Sequence, residues 1–98
     1  DYQCGERAPE HLAHLSMKPS EYFRRQFYGC FWFESKTLAP AVEHIGPDRI
    51  MFETDIPHPT CLYPHSVERV REAIGQMAPE VQKKILQDNA AELYGIKV

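Results

Sequence analysis

The chain reads as α/β, two parallel strands joined by a crossover helix, and three observations predict it. Phe27–Phe33 (Phe-Tyr-Gly-Cys-Phe-Trp-Phe) is a nearly continuous apolar run that never alternates with polar residues. It therefore fits a strand covered on both faces better than a half-exposed one. Arg49–Thr54 is a second short apolar run, set off by the Gly46-Pro47 stop before it. Between them Leu38, Val42 and Ile45 recur at helical spacing, one apolar stripe facing a sheet. Strand, short helix and strand make a βαβ unit, whose strands run parallel with a right-handed crossover.

The remaining elements follow in order. Residues 1–18 carry no clear period. Glu10 to Leu15 can form a helical turn with His11 and His14 on one face, a spacing that can bind a metal but more often marks two solvated side chains. Pro19 and Ser20 start a helix with Glu21 early and Arg24 and Arg25 late, as the macrodipole favours. Glu34 and Ser35 end the first strand. Thr37 is expected to cap the crossover helix, with Pro40 tolerated in its first turn and Gly46 closing it. A long helix from about Ser66 to Met77 turns Val67, Val70, Ile74 and Met77 inward and Glu68, Arg69, Arg71 and Glu72 outward. Pro79 opens another helical stretch with Val81, Ile85 and Leu86 inward. Asp88 or Asn89 is expected to cap a last turn that ends at Gly95. Two parallel strands make no stable sheet by themselves, so the pattern predicts part of a larger α/β structure or an oligomer that completes one.

Composition narrows the function. The 98 residues, 43% hydrophobic and 26% charged, have ordinary globular proportions and permit one domain at most. Eleven basic against 14 acidic residues leave a net charge of −3, and no basic stripe is interleaved with aromatics, which argues against a nucleic-acid partner. No run approaches the roughly 18 apolar residues of a membrane span. Asp1-Tyr2-Gln3 does not read as a signal peptide, and the missing initiator Met points to an excised piece. Cys4, Cys30 and Cys61 are far apart, odd in number and without a C-x-x-C, so the expectation is reduced thiols in a cytoplasmic protein.

The chemistry-bearing candidates cluster at the carboxyl ends of the strands, where α/β sheets bind ligands. Asp55 closes the second strand, and Pro57 and Pro59 force the backbone after it out of regular structure. A carboxylate there is a candidate metal ligand or general base; the plainer reading is a turn aspartate. Glu53 shares the inward side by strand alternation and needs a partner or a proton. Trp32 and Glu34 end the first strand on the same face and are candidates to bind substrate, as is His58, although Trp32 also suits a core. Cys61, Tyr63 and His65 belong to a loop long enough to cover the site.

Gly46-Pro47-Asp48-Arg49-Ile50-Met51-Phe52-Glu53-Thr54-Asp55-Ile56-Pro57-His58-Pro59 resembles the final strand of the amidohydrolase-related proteins, including the aminocarboxymuconate-semialdehyde decarboxylase-like enzymes. In them a strand ending in Ser/Thr-Asp and followed by x-Pro-His recurs. The resemblance continues upstream in Lys18-Pro19-Ser20-Glu21-Tyr22-Phe23-Arg24-Arg25 and downstream in Ile85-Leu86-Gln87-Asp88-Asn89-Ala90-Ala91-Glu92-Leu93-Tyr94-Gly95. It implies that residues 1–98 are a single partial domain, the C-terminal quarter (strands seven and eight with their helices) of a (β/α)8 TIM barrel. By the same resemblance Asp55 binds a divalent metal, usually zinc, or accepts a proton from metal-bound water. The implied activity is hydrolysis or decarboxylation of a small carboxylated, cyclic or aromatic substrate.

The sequence departs from the family in one respect that matters. It has no H-x-H, whereas a catalytic zinc takes three protein ligands and one open position. Asp55 alone does not hold zinc usefully, and His58, His44 and His65 are no obvious substitutes, His44 lying on the crossover helix away from the carboxyl ends. The expected partners are a small-molecule substrate and either further copies of the chain or the remainder of a barrel, with little turnover from the chain alone. Two rival readings stand beside this one: a non-catalytic, self-associating barrel fragment, and a small-molecule binder that has lost its chemistry.

Overall fold

The computed structural model describes residues 13–32 and 34–98. Helix α1 (Pro19–Gln26) begins with proline at its first position, where no amide hydrogen bond is lost. Glu21 reaches back from the first turn to accept the Lys18 N–H at 2.7 Å. Strand β1 (Gly29–Phe31) leads through Trp32 to α2 (Ser35–Ile45), then a 3-10 turn (Pro47–Arg49) and strand β2 (Ile50–Phe52). The strands pair in parallel with Gly29 opposite Ile50, Cys30 opposite Met51 and Phe31 opposite Phe52. The ladder runs one step further, from Glu53 N–H to the Phe31 carbonyl at 3.0 Å. The βαβ unit expected from the apolar runs is present, with strands three residues long rather than the six or seven that the runs spanned.

Alternation gives the sheet two faces. Phe31, Ile50 and Phe52 turn toward the helices and join Leu38, Val70, Ile74 and Ile85 in one core, flanked by Val42, Ile45, Ala73, Met77 and Val81. Cys30, Met51 and Glu53 occupy the other face. Met51 is buried there, but Cys30 is exposed, so the two-sided cover expected of β1 is only partly present. Among the described residues the sheet has two strands, each with one unpaired edge.

Several boundaries differ from expectation. Helix α2 starts at Ser35, so Pro40 falls in its second turn, and Thr37 is no cap: its hydroxyl donates to the Glu34 carbonyl at 3.3 Å from within the helix. Pro40 has no N–H for the Lys36 carbonyl and is tolerated because that side of the helix is exposed. Gly46, at φ 103°, ends the helix as expected. Helix α3 (Ser66–Ile74) buries Val70 and Ile74 but leaves Val67 55% exposed, and Ala73 takes the flanking place in the core.

The last helical stretch is one continuous run: α4 (Pro79–Lys83), a π-helical segment (Lys84–Asp88) and α5 (Asn89–Tyr94). The cap expected at Asp88 or Asn89 is absent, because both residues have helical dihedrals. Asn89 is instead 2% exposed, and its amide donates to the carbonyls of Pro47 (2.7 Å) and Ile50 (2.8 Å). Buried carbonyls need donors, and this one side chain supplies two at the entry to β2. Leu86 is 42% exposed rather than inward, at the margin of the stripe that buries its neighbour Ile85. Gly95, at φ 66°, closes α5 in the left-handed conformation.

Two side-chain ties hold α1 to the βαβ unit. Arg24 donates to the His44 carbonyl at 2.6 and 3.0 Å, and Arg49 donates to the Arg25 carbonyl at 3.1 Å. No helix of the described residues is long and apolar enough to cross a membrane.

Candidate active site

Asp55 sits three residues beyond β2, at φ 52°, in the left-handed region that L-residues other than Asn and Asp seldom adopt. An aspartate tolerates this because its short polar side chain can bond locally, and here it does. The backbone turns back on itself, with His58 N–H donating to the Asp55 carbonyl at 2.7 Å. The same turn brings His58 Nδ1 to 3.2 Å from Asp55 Oδ2, with the two side chains 56% and 36% exposed. Asp55 is thus both a turn residue and a carboxylate held at the mouth of the sheet.

His58 has a second neighbour, Thr60 Oγ1, 2.8 Å from the same nitrogen. Thr60 Oγ1 in turn accepts a hydrogen bond from Trp32 Nε1–H at 3.1 Å. The loop after β2 is therefore clasped to the end of β1 by an indole. On the other side of Trp32, its backbone N–H donates to Glu34 Oε2 at 3.2 Å, which turns the Glu34 carboxylate away from capping α2. The side chains of Asp55, His58, Trp32 and Glu34, singled out in the sequence as metal-binding or substrate-binding candidates, lie at this end of the sheet, and Asp55, His58 and Trp32 are linked through Thr60. Thr60 itself was missed. A tryptophan N–H that is half-buried must find an acceptor, and a hydroxyl in the following loop was the available signal.

The arrangement is not a nucleophilic triad. In a triad the acid and the hydroxyl use different imidazole nitrogens, whereas here Asp55 and Thr60 both face Nδ1. Nor do the described residues hold a metal by themselves: no three His, Cys, Asp or Glu side chains among them gather closely enough, and zinc asks for three protein ligands. Asp55 offers one carboxylate, and the nearby imidazole presents to it a nitrogen shared with Thr60. His44 is exposed on α2, and its carbonyl rather than its ring is engaged. His14 lies in a turn, while His11 and Cys4 fall outside the described residues.

Glu53 is half-buried on the Cys30 face, and its carboxylate has no hydrogen-bond partner among the described residues. Partial burial first, and the Glu53 carboxylate second, push the Cys30 thiol above its ordinary value. Trp32 also forms one wall of a cavity of about 480 Å3 with Phe31, Ser35, Lys36, Arg69 and Val70. That cavity lies over the helix side, and neither Asp55 nor His58 is among its described walls. Leu62 reaches it from the loop, whereas Tyr63 and His65 are exposed.

The family model described as Amidohydrolase matches residues 5–96. No curated protein and no solved structure matches the chain.

Proposed function

Because the chain belongs to the amidohydrolase family, we propose that it supplies the last two strands, the seventh and eighth, and their helices to a (β/α)8 barrel, and that Asp55 is its contribution to the active site. The observation that carries this reading is the placement of Asp55. It follows a parallel strand at the carboxyl end, in a turn that fixes its carboxylate, and carboxyl ends of parallel strands are where barrels do chemistry. In the complete site Asp55 serves a divalent metal, zinc by the family's habit, as a ligand or accepts a proton beside it. The other ligands come from outside the described residues. The substrate is a small carboxylated molecule, cyclic or aromatic, that is hydrolysed or decarboxylated, and His58, Trp32 and Glu34 border it. The α/β topology and the strand edges that are unpaired among the described residues support the barrel assignment, since each edge is a place for a neighbouring strand.

Elemental analysis coupled to light scattering tests the assignment on the purified chain after dialysis against zinc. The expected result is less than one zinc per monomer and no zinc-dependent hydrolysis of a carboxylated aromatic ester. If instead a defined oligomer holds about one zinc per chain, Asp55→Asn must release it. Zinc retained by Asp55→Asn, or robust turnover by the monomer, overturns the role given to Asp55.

A second reading has its own observation. Phe27, Ile56, Tyr63 and Val67 are all more than half exposed, and the sheet edges are unpaired among the described residues, which suits a non-catalytic chain that associates with itself. A zinc-free oligomer in the same experiment favours that reading, and a zinc-free monomer opposes it.

A further inference from the structure

The cavity of about 480 Å3 between α2 and α3 has the size of a small-molecule site, and the role given to Asp55 makes no use of it. Its base is apolar and fixed. Phe31 and Val70 reach it from the buried core, with Leu62 and Ala73 beside them. Trp32 forms an aromatic wall pinned at two points: its backbone N–H donates to Glu34 at 3.2 Å, and its indole N–H donates to Thr60 at 3.1 Å. A wall that is already held loses little freedom when a flat ring packs against it.

The rest of the lining is polar, with an excess of positive charge. Ser35 and Lys36 open α2, an 11-residue helix with no acidic residue in its first turn and no side-chain hydrogen bond from its N-cap, Glu34. The leading amides therefore present the positive end of the helix dipole without a side-chain cap. Among the described residues neither the Ser35 hydroxyl nor the Lys36 ammonium has a polar partner. Arg69 enters from α3, where its guanidinium meets Glu72 only at 3.9 Å, with both side chains exposed. Such a pair is loose enough for Arg69 to take a better acceptor. Two cations and a helix N-terminus thus face one carboxylate across an apolar base.

We propose that this cavity binds an aromatic monoanion, its ring against Trp32 and its charged group between Lys36, Arg69 and the start of α2. A single negative charge suits the site because Glu72 already offsets one of the two cations.

The probe is benzenesulfonate, a weak metal ligand, titrated into the nitrogen-labelled 98-residue chain and followed by amide and indole N–H shifts. Saturable shifts should gather at Trp32, Ser35, Lys36, Val70 and Ala73, and the single tryptophan makes the indole signal unambiguous. Methanesulfonate has the charge without the ring, and benzyl alcohol the ring without the charge; each should bind about tenfold more weakly. Lys36→Gln and Arg69→Gln should each weaken benzenesulfonate by about three- to tenfold. Glu72→Gln should tighten it, because the change frees Arg69 and removes the one acidic residue among the described walls. All three side chains are exposed, and unchanged core amides check that each variant keeps the fold. Shifts that do not saturate overturn the proposal, as do shifts gathered instead in the groove of Phe23, Phe27 and Ile45. So does methanesulfonate bound as tightly as benzenesulfonate, or an affinity that Lys36→Gln and Arg69→Gln leave unmoved. No metal is needed and Asp55 is untouched, so failure here is distinct from failure of the Asp55→Asn zinc experiment.

Discussion

The helix-facing side of the short sheet and its carboxyl end obey different rules. On the helix side Ile50 and Phe31 are 4% and 6% exposed, and Ile74 and Ile85, which pack against them, are 0% and 1% exposed. At the carboxyl end the side chains of Asp55 and His58 are 36% and 56% exposed and are held by polar contacts. Burial of apolar area stabilises the first region without regard to direction, whereas the second depends on donors and acceptors meeting at fixed distances. Stability and the candidate chemistry are therefore separable, and substitutions in the two regions should differ in size and kind.

The largest effect is expected on the helix side. Ile74→Ala should destabilise the chain by about 2–5 kcal/mol, because a fully enclosed side chain leaves a cavity that its neighbours only partly fill. Urea denaturation reads this, and a loss well under 1 kcal/mol would show that the helix side is not the core. Asn89→Ala comes next, at roughly 1–3 kcal/mol, since it strips the donor from two carbonyls at the entry to β2. An unchanged denaturation midpoint would mean that water replaces the amide there.

At the carboxyl end the expected effect is smaller and concerns the backbone. Asp55→Ala and Asp55→Gly both remove the carboxylate, but only alanine must carry a Cβ at φ 52°. The glycine variant should be the more stable by about 1 kcal/mol, within the cost of a left-handed L-residue. Equal stability would show that residue 55 relaxes out of that conformation once its carboxylate is gone.

Much of the helix side was legible in the sequence. Leu38, Val42 and Ile45 announced α2, Val70 and Ile74 announced α3, and Gly46 and Gly95 marked helix ends where their φ values of 103° and 66° require them. These signals are local, set by helical period and by the steric freedom of glycine. Val67 and Leu86 were misjudged because an apolar residue at the margin of a stripe is buried only if a neighbouring element reaches it. The position of Asp55 was also legible, as the polar end of an apolar run, and so was the grouping of Trp32, Glu34 and His58 beside it. The link through Thr60 was not, because 28 residues separate it from Trp32 along the chain.

By itself the sequence determined the α/β order, the parallel pairing, most of the buried stripe and the family. Period, turn residues and motif spacing are properties of neighbours along the chain, and they survive without a third dimension. The tertiary structure decided that Asn89 serves the carbonyls at the start of β2 instead of capping a helix, and that Trp32 and Asp55 meet through Thr60 and His58. Both depend on which unpaired donor comes within about 3 Å of which acceptor, a distance that exists only once the helices have packed against the sheet.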